Sequence, residues 1–283
     1  PKVSQNCFFP TTRFPILSGS FKNKAFIGKL QLTDKAIELD FNGNIDFNVQ
    51  PLEFDFSLNL KNTNLNQLGI YSDFPSSKIF FNSHFSGFGN DWKDFTGYVN
   101  IDDIKFVNED EIYDFGSIQF DSQTNDYSHS MNFISDLFTF NIVGEFKFDQ
   151  LYNNVLYSAS KFLPNLFPLK NYHKKNQSFK LDFTIHDFDI LSNLFYPTFK
   201  ISENSKGQFI FNDEDNVFNL NFDADKIEFD DVDFHNILMK SISNANDSSY
   251  NCMITIDSLK GYNIELNERI DVKTLVSNNK IIF

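Results

Sequence analysis

The chain has 283 residues, 41% hydrophobic and 22% charged, so it can bury a core and does not have the composition of a disordered tail. Its net charge of −14 argues against a nucleic-acid partner, because phosphate backbones repel an acidic surface. Phenylalanine is unusually frequent, with 37 copies against one tryptophan. A gene poor in G and C would produce the same bias, so composition alone does not assign a function.

Apolar and polar residues alternate with a period of two through the first half of the chain. Ile37 to Val49 carry apolar residues at odd positions, and after Pro51 the apolar positions become even. A change of parity at a proline is typical of a turn between antiparallel strands. The same alternation predicts further strands around Val99, Ile101, Ile104, Phe106, Ile118, Phe120, Phe138, Phe140, Ile142, Phe146 and Phe148.

One segment, 149–167, predicts a helix, because Leu151 and Val155 begin a run of apolar residues near helical spacing. We interpret this helix as the divider between two β units, 1–168 and 169–283.

Apolar and polar residues alternate with a period of two in the second half of the chain as well. The second half also contains a segment that is loosely similar to one in the first half. Segments 54–75 and 179–202 each begin as a strand, continue into a short helical turn and reach a proline. Loose repeats of a unit that cannot bury its own face indicate an elongated, stacked architecture. The sequence therefore predicts an all-β protein of many short antiparallel strands, each with one apolar and one polar face.

Residues that could carry chemistry do not form a recognisable constellation. No nucleotide-binding loop, zinc-protease motif or nucleophile elbow is present, and the acidic clusters lack the spacing of a calcium loop. The histidines are isolated from one another in the sequence: His84, His129, His173, His186 and His235. These observations predict no catalytic residues, no metal and no cofactor, so we do not expect an enzyme.

The apolar stripe has two interpretations. Phenylalanines from two sheets could meet in the core of a sandwich, or they could line a groove that holds a flexible apolar ligand. Alternation is identical in the two cases and does not choose between them. A carbohydrate-binding sandwich is disfavoured because Trp92 is the single tryptophan.

Six lines of sequence carry a resemblance: AFIGKLQLTDKAIELDFNGNIDF (25–47), FDFSLNLKNTNLNQLGI (54–70), FSGFGNDWKDFTGYVNIDDIKF (85–106), MNFISDLFTFNIVGEFKFDQLYNNVLYSASKFLPNLF (131–167), FKLDFTIHDFDILSNLFYPTFKIS (179–202) and SKGQFIF (205–211). In this order they resemble the TamB/AsmA-like family, in particular the long TamB-type proteins of the Bacteroidota. The resemblance covers nearly the whole chain, and each line taken singly is weakly specific.

The resemblance implies an elongated, curled antiparallel sheet, or β-taco, with an apolar concave face and a few short helices. It implies an internal segment of an inner-membrane-anchored bridge that crosses the periplasm of a Gram-negative bacterium. Such a bridge would carry phospholipids between the inner and outer membranes, with an Omp85-type outer-membrane barrel as partner through parts of the protein outside this segment. The alternative is a scaffold or chaperone that assists the insertion of outer-membrane β-barrel proteins.

Under the groove interpretation, acyl chains would lie against the apolar side chains, and each methylene removed from water would gain about 0.8 kcal/mol. The residues predicted to line the groove come from the alternating strands of both units: Phe41, Ile45, Phe47, Phe54, Phe56, Leu58, Leu60, Phe138, Phe140, Phe183, Ile185, Phe209, Phe211, Phe218, Leu220 and Phe222.

Overall fold

A computed structural model of the protein describes residues 16–68, 76–90, 94–108, 111–125, 128–162, 177–244, 249–277 and 280–282. Strands make up 70% of the structure and helices 8%, and the 18 strands form one antiparallel sheet that is not closed. The prediction of an all-β, antiparallel protein with a few short helices is confirmed. Contacts between residues divide the chain into a first unit, Pro1–Gln119, and a second unit, Phe120–Phe283.

The first unit is a meander in which each strand pairs with the next along the chain, from β1 to β6. The division between the units falls within β7. The strands are β1 (Ile16–Lys22), β2 (Ala25–Thr33), β3 (Ile37–Asp46), β4 (Glu53–Asn64), β5 (Lys78–Phe88), β6 (Thr96–Asn108) and β7 (Glu111–Thr124).

Strand register gathers the apolar residues of the first unit on one face of the sheet. Leu30 is opposite Phe41, which is opposite Leu58, so three neighbouring strands contribute to one apolar row. The alternate residues, such as Lys29 and Asn42, form polar rows on the other face. The predicted segregation of apolar and polar faces is therefore present in this unit, because the side-chain period of a strand is two.

A local irregularity in β6 keeps its apolar residues together. Ile101 and Phe106 differ in parity, yet both are paired with residues of the apolar face of β5. Asp103 has a φ of 56°, in the left-handed region, and the register shifts at this point. Such a bulge adds one residue to a strand, so the pattern continues on the same face beyond it.

In its described residues the second unit contains strands and two α-helices. Its elements are β8 (His129–Ser135), β9 (Phe138–Glu145), a 3-10 turn (Phe148–Gln150), α1 (Leu151–Phe162), β10 (Ser178–Ile185), α2 (Asp189–Phe195), β11 (Phe199–Ile201), β12 (Lys206–Asn212), β13 (Val217–Phe229), β14 (Val232–Asn244), β15 (Ser249–Gly261), β16 (Ile264–Leu266), β17 (Ile270–Ser277) and β18 (Lys280–Ile282).

Both helices lie in connections between strands that are neighbours in the sheet. β9 pairs with β10 although α1 separates them in sequence, and β10 pairs with β12 although α2 and β11 intervene. The predicted helix over 149–167 corresponds to α1, and residues 163–167 lie outside the described part. β9 and β10 thus pair across this connection. The division into units 1–168 and 169–283 stays a prediction from the sequence.

The tightly packed core of the second unit lies on the apolar face of the sheet beside α1. Met131, Ile142, Phe146, Phe179 and Phe211 are all buried and in mutual contact. Leu151 and Val155 of α1 pack against this cluster, as do several half-buried residues of the sheet. The apolar stripe of the helix thus covers one part of the face.

Candidate functional site

The apolar face of the first unit is built from phenylalanines that pack side by side. The ring centroid of Phe56 lies 5.2 Å from that of Phe41 and 4.9 Å from that of Phe85. All three side chains remain half-buried. Among the described residues of this unit, the buried hydrophobic side chains are Leu60, Ile104 and Phe106. Contacts between side chains on neighbouring strands therefore shield this face from water only in part.

The second unit contains a cavity on its apolar face, between the sheet and the helical segments. Its volume is about 440 Å³, and every residue that lines it is apolar. We call this space the apolar cavity. Its lining residues are Phe138, Phe140, Ile142, Phe148, Leu151, Leu181, Phe183, Ile185, Phe188 and Leu191. Its size falls within the range of about 300–1,000 Å³ that is usual for ligand pockets.

The floor of the apolar cavity is set by the register of β9 and β10. Phe138 is opposite Ile185, and Phe140 is opposite Phe183. Period two puts alternate residues of each strand on the same face, so these side chains point to the cavity together. Phe140 is held further by the stacked ring of Phe133, with centroids 5.0 Å apart.

The helical side of the apolar cavity is held by hydrogen bonds and ring contacts around α2. Ser192 is fully buried, and its Oγ donates to the carbonyl oxygens of Tyr196, at 3.1 Å, and of Phe199. The ring of Phe188 meets that of Phe199 edge to face at 5.6 Å. These contacts hold the start and the middle of α2 against β11, and so position Phe188 and Leu191 beside the cavity.

Four of the residues predicted to line a groove contribute to the apolar cavity: Phe138, Phe140, Phe183 and Ile185. The helical lining residues Phe148, Leu151, Phe188 and Leu191 were absent from the prediction. Period-two analysis selects strand residues only, although the sequence DILSNLFYP does suggest a segment that caps or plugs a groove.

The other predicted lining residues have different environments. Leu60 is buried, and Phe47 lies beyond the end of β3 with 45% of its surface exposed. Phe211 is 1% exposed and belongs to the packed core beside α1, so it does not face an open space. The remaining ones are half-buried on the sheet: Phe41, Ile45, Phe54, Phe56, Leu58, Phe209, Phe218, Leu220 and Phe222.

The opposite face of the second unit is polar and carries ion pairs. Lys180 Nζ lies 2.8 Å from Asp182 Oδ2, and Gln208 Nε2 donates to Asp182 Oδ1 at 2.7 Å. The hydrogen bond from Lys180 holds the pKa of the Asp182 carboxyl below its usual value, against the opposing effect of burial, and the hydrogen bond from Gln208 lowers it by a smaller amount. This face stays charged at neutral pH and keeps the sheet hydrated.

One histidine has a specific environment that the sequence did not reveal. His129 is 9% exposed and stacks on Phe146, with ring centroids 4.8 Å apart. Its Nε2 lies 2.9 Å from Ser122 Oγ. Burial lowers the pKa of the imidazole, because the charged form loses hydration. His129 belongs to the hydrophobic packing, whereas His173 lies outside the described residues.

Clusters of three or more metal-ligating side chains are absent from the described residues. No helix in the described part of the chain has both the length and the hydropathy needed to cross a membrane.

Comparison with known proteins gives no relative from which a role could be carried over. A scan against models of protein families, a search of curated proteins and a search of solved structures each return no significant match. The resemblance to the TamB/AsmA-like family therefore stays a prediction from the sequence.

Proposed function

We propose that this chain is a segment of a periplasmic bridge protein that carries phospholipids between the inner and outer membranes, with the acyl chains lying on its apolar faces. The observation that carries this proposal is the apolar cavity, which has a volume of about 440 Å³ and an entirely apolar lining. Such a cavity offers no partner to a polar ligand and favours hydrocarbon.

The half-buried phenylalanines of the first unit support the same role. A face of this kind shields methylenes without directional contacts, so a chain could move along it without breaking specific bonds. Each methylene transferred from water gains about 0.8 kcal/mol. The head group would remain in water, since the lining has no group to replace its hydration.

Photo-crosslinking in cells tests the proposal. A photoreactive phenylalanine analogue at Phe56 or Phe222, which are half-buried on the apolar faces, should capture phospholipid. The same analogue at Asp55 or Asn221, the preceding residues on the polar faces, should not. Mass spectrometry of the adducts identifies what was captured.

The pattern of capture decides between the alternatives. Phospholipid at the apolar positions and not at the polar ones supports lipid carriage. Capture of outer-membrane β-barrel proteins at the apolar positions, without lipid, would favour the scaffold or chaperone role. Equal capture of lipid at both kinds of position would contradict the proposal.

A further inference from the structure

The apolar face of the second unit has a separate exposed area at one end of β13. Phe218, near the start of this strand, packs against the core beside α1, whereas Phe229 is the last residue of the strand, about 35 Å further along it. The strand register extends this area to both sides of Phe229, and we call it the end patch. Its outer row is Phe199, Phe229, Val232, Gly261 and Ile264, and its inner row, two residues further in on each strand, runs from Ile201 to Leu266.

Large apolar side chains of the end patch are open to water. Phe229, Ile264 and Leu266 are 54%, 55% and 46% exposed, whereas Ala224 and Ile237, nearer the middle of the same sheet, are buried. Exposed apolar side chains at adjacent positions form a continuous surface, and surfaces of this kind with a polar rim mark interaction sites. The end patch is therefore a candidate docking surface.

Carboxylates border the end patch. Asp230 and Asp231 form the turn between β13 and β14, and Glu268 follows β16. All three are exposed, and none forms an ion pair with a cation of the described residues. The cations closest to them in sequence, Lys226 and Arg269, pair with other carboxylates. The rim thus carries negative charge that no neighbouring side chain neutralises.

The charge of the rim selects the kind of partner. Carboxylates attract lysine and arginine and repel phosphate groups, so a membrane surface of anionic phospholipids is disfavoured. A second copy of the chain is disfavoured as well, because its net charge is also −14. Charge complementarity therefore favours a protein partner with a basic surface.

The second unit itself shows how a helix covers this face. α1 lies on the same face, where Leu151 and Val155 pack on the core. Neighbouring rows on one face of a sheet are about 7 Å apart, and a helix with its side chains is about 10 Å across. One helix can therefore cover both rows of the end patch, and its apolar stripe would match their apolar side chains.

We propose that the end patch is a docking surface for a protein partner that presents a basic amphipathic helix. The apolar stripe of that helix packs on Phe229, Ile264 and Leu266, and its lysine or arginine residues lie opposite Asp231 and Glu268. This inference goes beyond the proposed function and does not depend on lipid carriage. It gives the second unit a protein partner in addition to any ligand of its apolar cavity.

Binding of a synthetic amphipathic helix of leucine and lysine to the purified 283-residue chain tests this chemistry, with fluorescence anisotropy as the readout. Ile264→Ser removes an apolar contact. Its matched control is Ile242→Ser, because Ile242 is 60% exposed but lies opposite Asn251 on the polar face. Asp231→Lys reverses one charge of the rim, and Glu214→Lys is its control in the turn at the other end of β13.

Ile264→Ser and Asp231→Lys should each weaken binding of the peptide at least about fivefold, whereas the two controls should bind as the unmodified chain does. A peptide of leucine and glutamate with the same pattern should not bind, and affinity for the lysine peptide should fall as salt concentration rises. Circular dichroism establishes that each variant retains its strands. Equal affinities in the two serine variants, or in the two lysine variants, would overturn the inference.

Site-specific photo-crosslinking in cells identifies the natural partner. A photoreactive phenylalanine analogue at Ile264, but not at Ile242, should capture a protein, and mass spectrometry should locate the attachment in a basic amphipathic segment. Phospholipid instead of protein at Ile264, no protein adduct there, the same adducts at both positions, or attachment to an acidic segment would overturn the docking surface. Lipid capture at Phe56 and Phe222 is measured separately, so either proposal can fail without the other.

Discussion

The ring of Phe183 lies over Gly207, its partner on the neighbouring strand, so closely that a Cβ atom at Gly207 would be 2.3 Å from Phe183 Cζ. Phe183 also lines the apolar cavity. The ring of Phe183 on β10 can occupy this position because Gly207 on β12 has no side chain. An aromatic ring that covers a glycine on the adjacent strand is a known way to stabilise such a position.

Gly207→Ala should push the Phe183 ring away from β12 and narrow the apolar cavity. Overpacking of this kind costs about 1–3 kcal/mol of unfolding free energy. Urea denaturation followed by circular dichroism measures the loss. Unlike the methyl group at Gly43, which would meet the backbone of Phe56 at 2.4 Å, the methyl group here meets the end of a side chain first.

A double-mutant cycle identifies the source of that cost. In a Phe183→Leu background the ring is gone, so Gly207→Ala should destabilise the protein by a smaller amount. An equal cost in both backgrounds would show that the carbonyl oxygen of Asn221, 3.1 Å from the same Cβ position, is the limiting contact.

Two phenylalanines of the second unit should differ in their contribution to stability. Phe211→Ala removes a side chain that is 1% exposed within the packed core, so it should cost about 3–5 kcal/mol. Phe222→Ala removes a half-buried side chain and should cost about 1–2 kcal/mol. Urea unfolding of both variants gives the comparison.

The difference in unfolding free energy between these two variants distinguishes a residue of the packed core from a residue on a partly open surface. A cost at Phe222 as large as that at Phe211 would mean that Phe222 is packed as core, and the case for an acyl-chain surface there would fail. Far-UV circular dichroism before unfolding establishes that each variant retains its strands.

His129 should make stability depend on pH in mildly acidic solution. Burial lowers the pKa of its imidazole in the folded state below the ordinary value near 6.5. The unfolded chain therefore binds the proton more readily, and unfolding free energy should fall as pH drops below about 6.5, until the folded-state pKa is passed.

The matched variant for this pH effect is His129→Gln, which can still hydrogen-bond to Ser122 Oγ but does not ionise. Denaturation midpoints between neutral and mildly acidic pH should decline less steeply in this variant. Parallel declines in both proteins would assign the effect to other groups, such as carboxylates with ion-pair partners.

The strands could be predicted from sequence because each face of the sheet has its own polarity. The positions of Phe54, Phe56 and Leu58 alone establish β4 and the face it presents. The continuity of β6 could not be predicted in this way. The parity change between Ile101 and Ile104 resembles the end of a strand, whereas Asp103 in fact adopts a left-handed conformation within one.

The candidate site was only half predictable, for a physical reason. Its strand residues follow period two, but Phe148, Leu151, Phe188 and Leu191 reach it because two connections place helical segments beside the same face. Sequence spacing does not state which surface a connecting helix will cover. It likewise could not distinguish Phe211, packed beside α1, from the half-buried Phe209 on the same strand.

The central claim, that the apolar faces hold acyl chains, is tested most directly by the phospholipid that accompanies the purified protein. Organic extraction and phosphate analysis should find phospholipid with the unmodified chain and with Asn221→Asp, and much less with Phe222→Asp. The two variants add the same charge at neighbouring positions, on the polar and the apolar face respectively. Protein purified free of phospholipid, or equal amounts in the two variants, would contradict the claim.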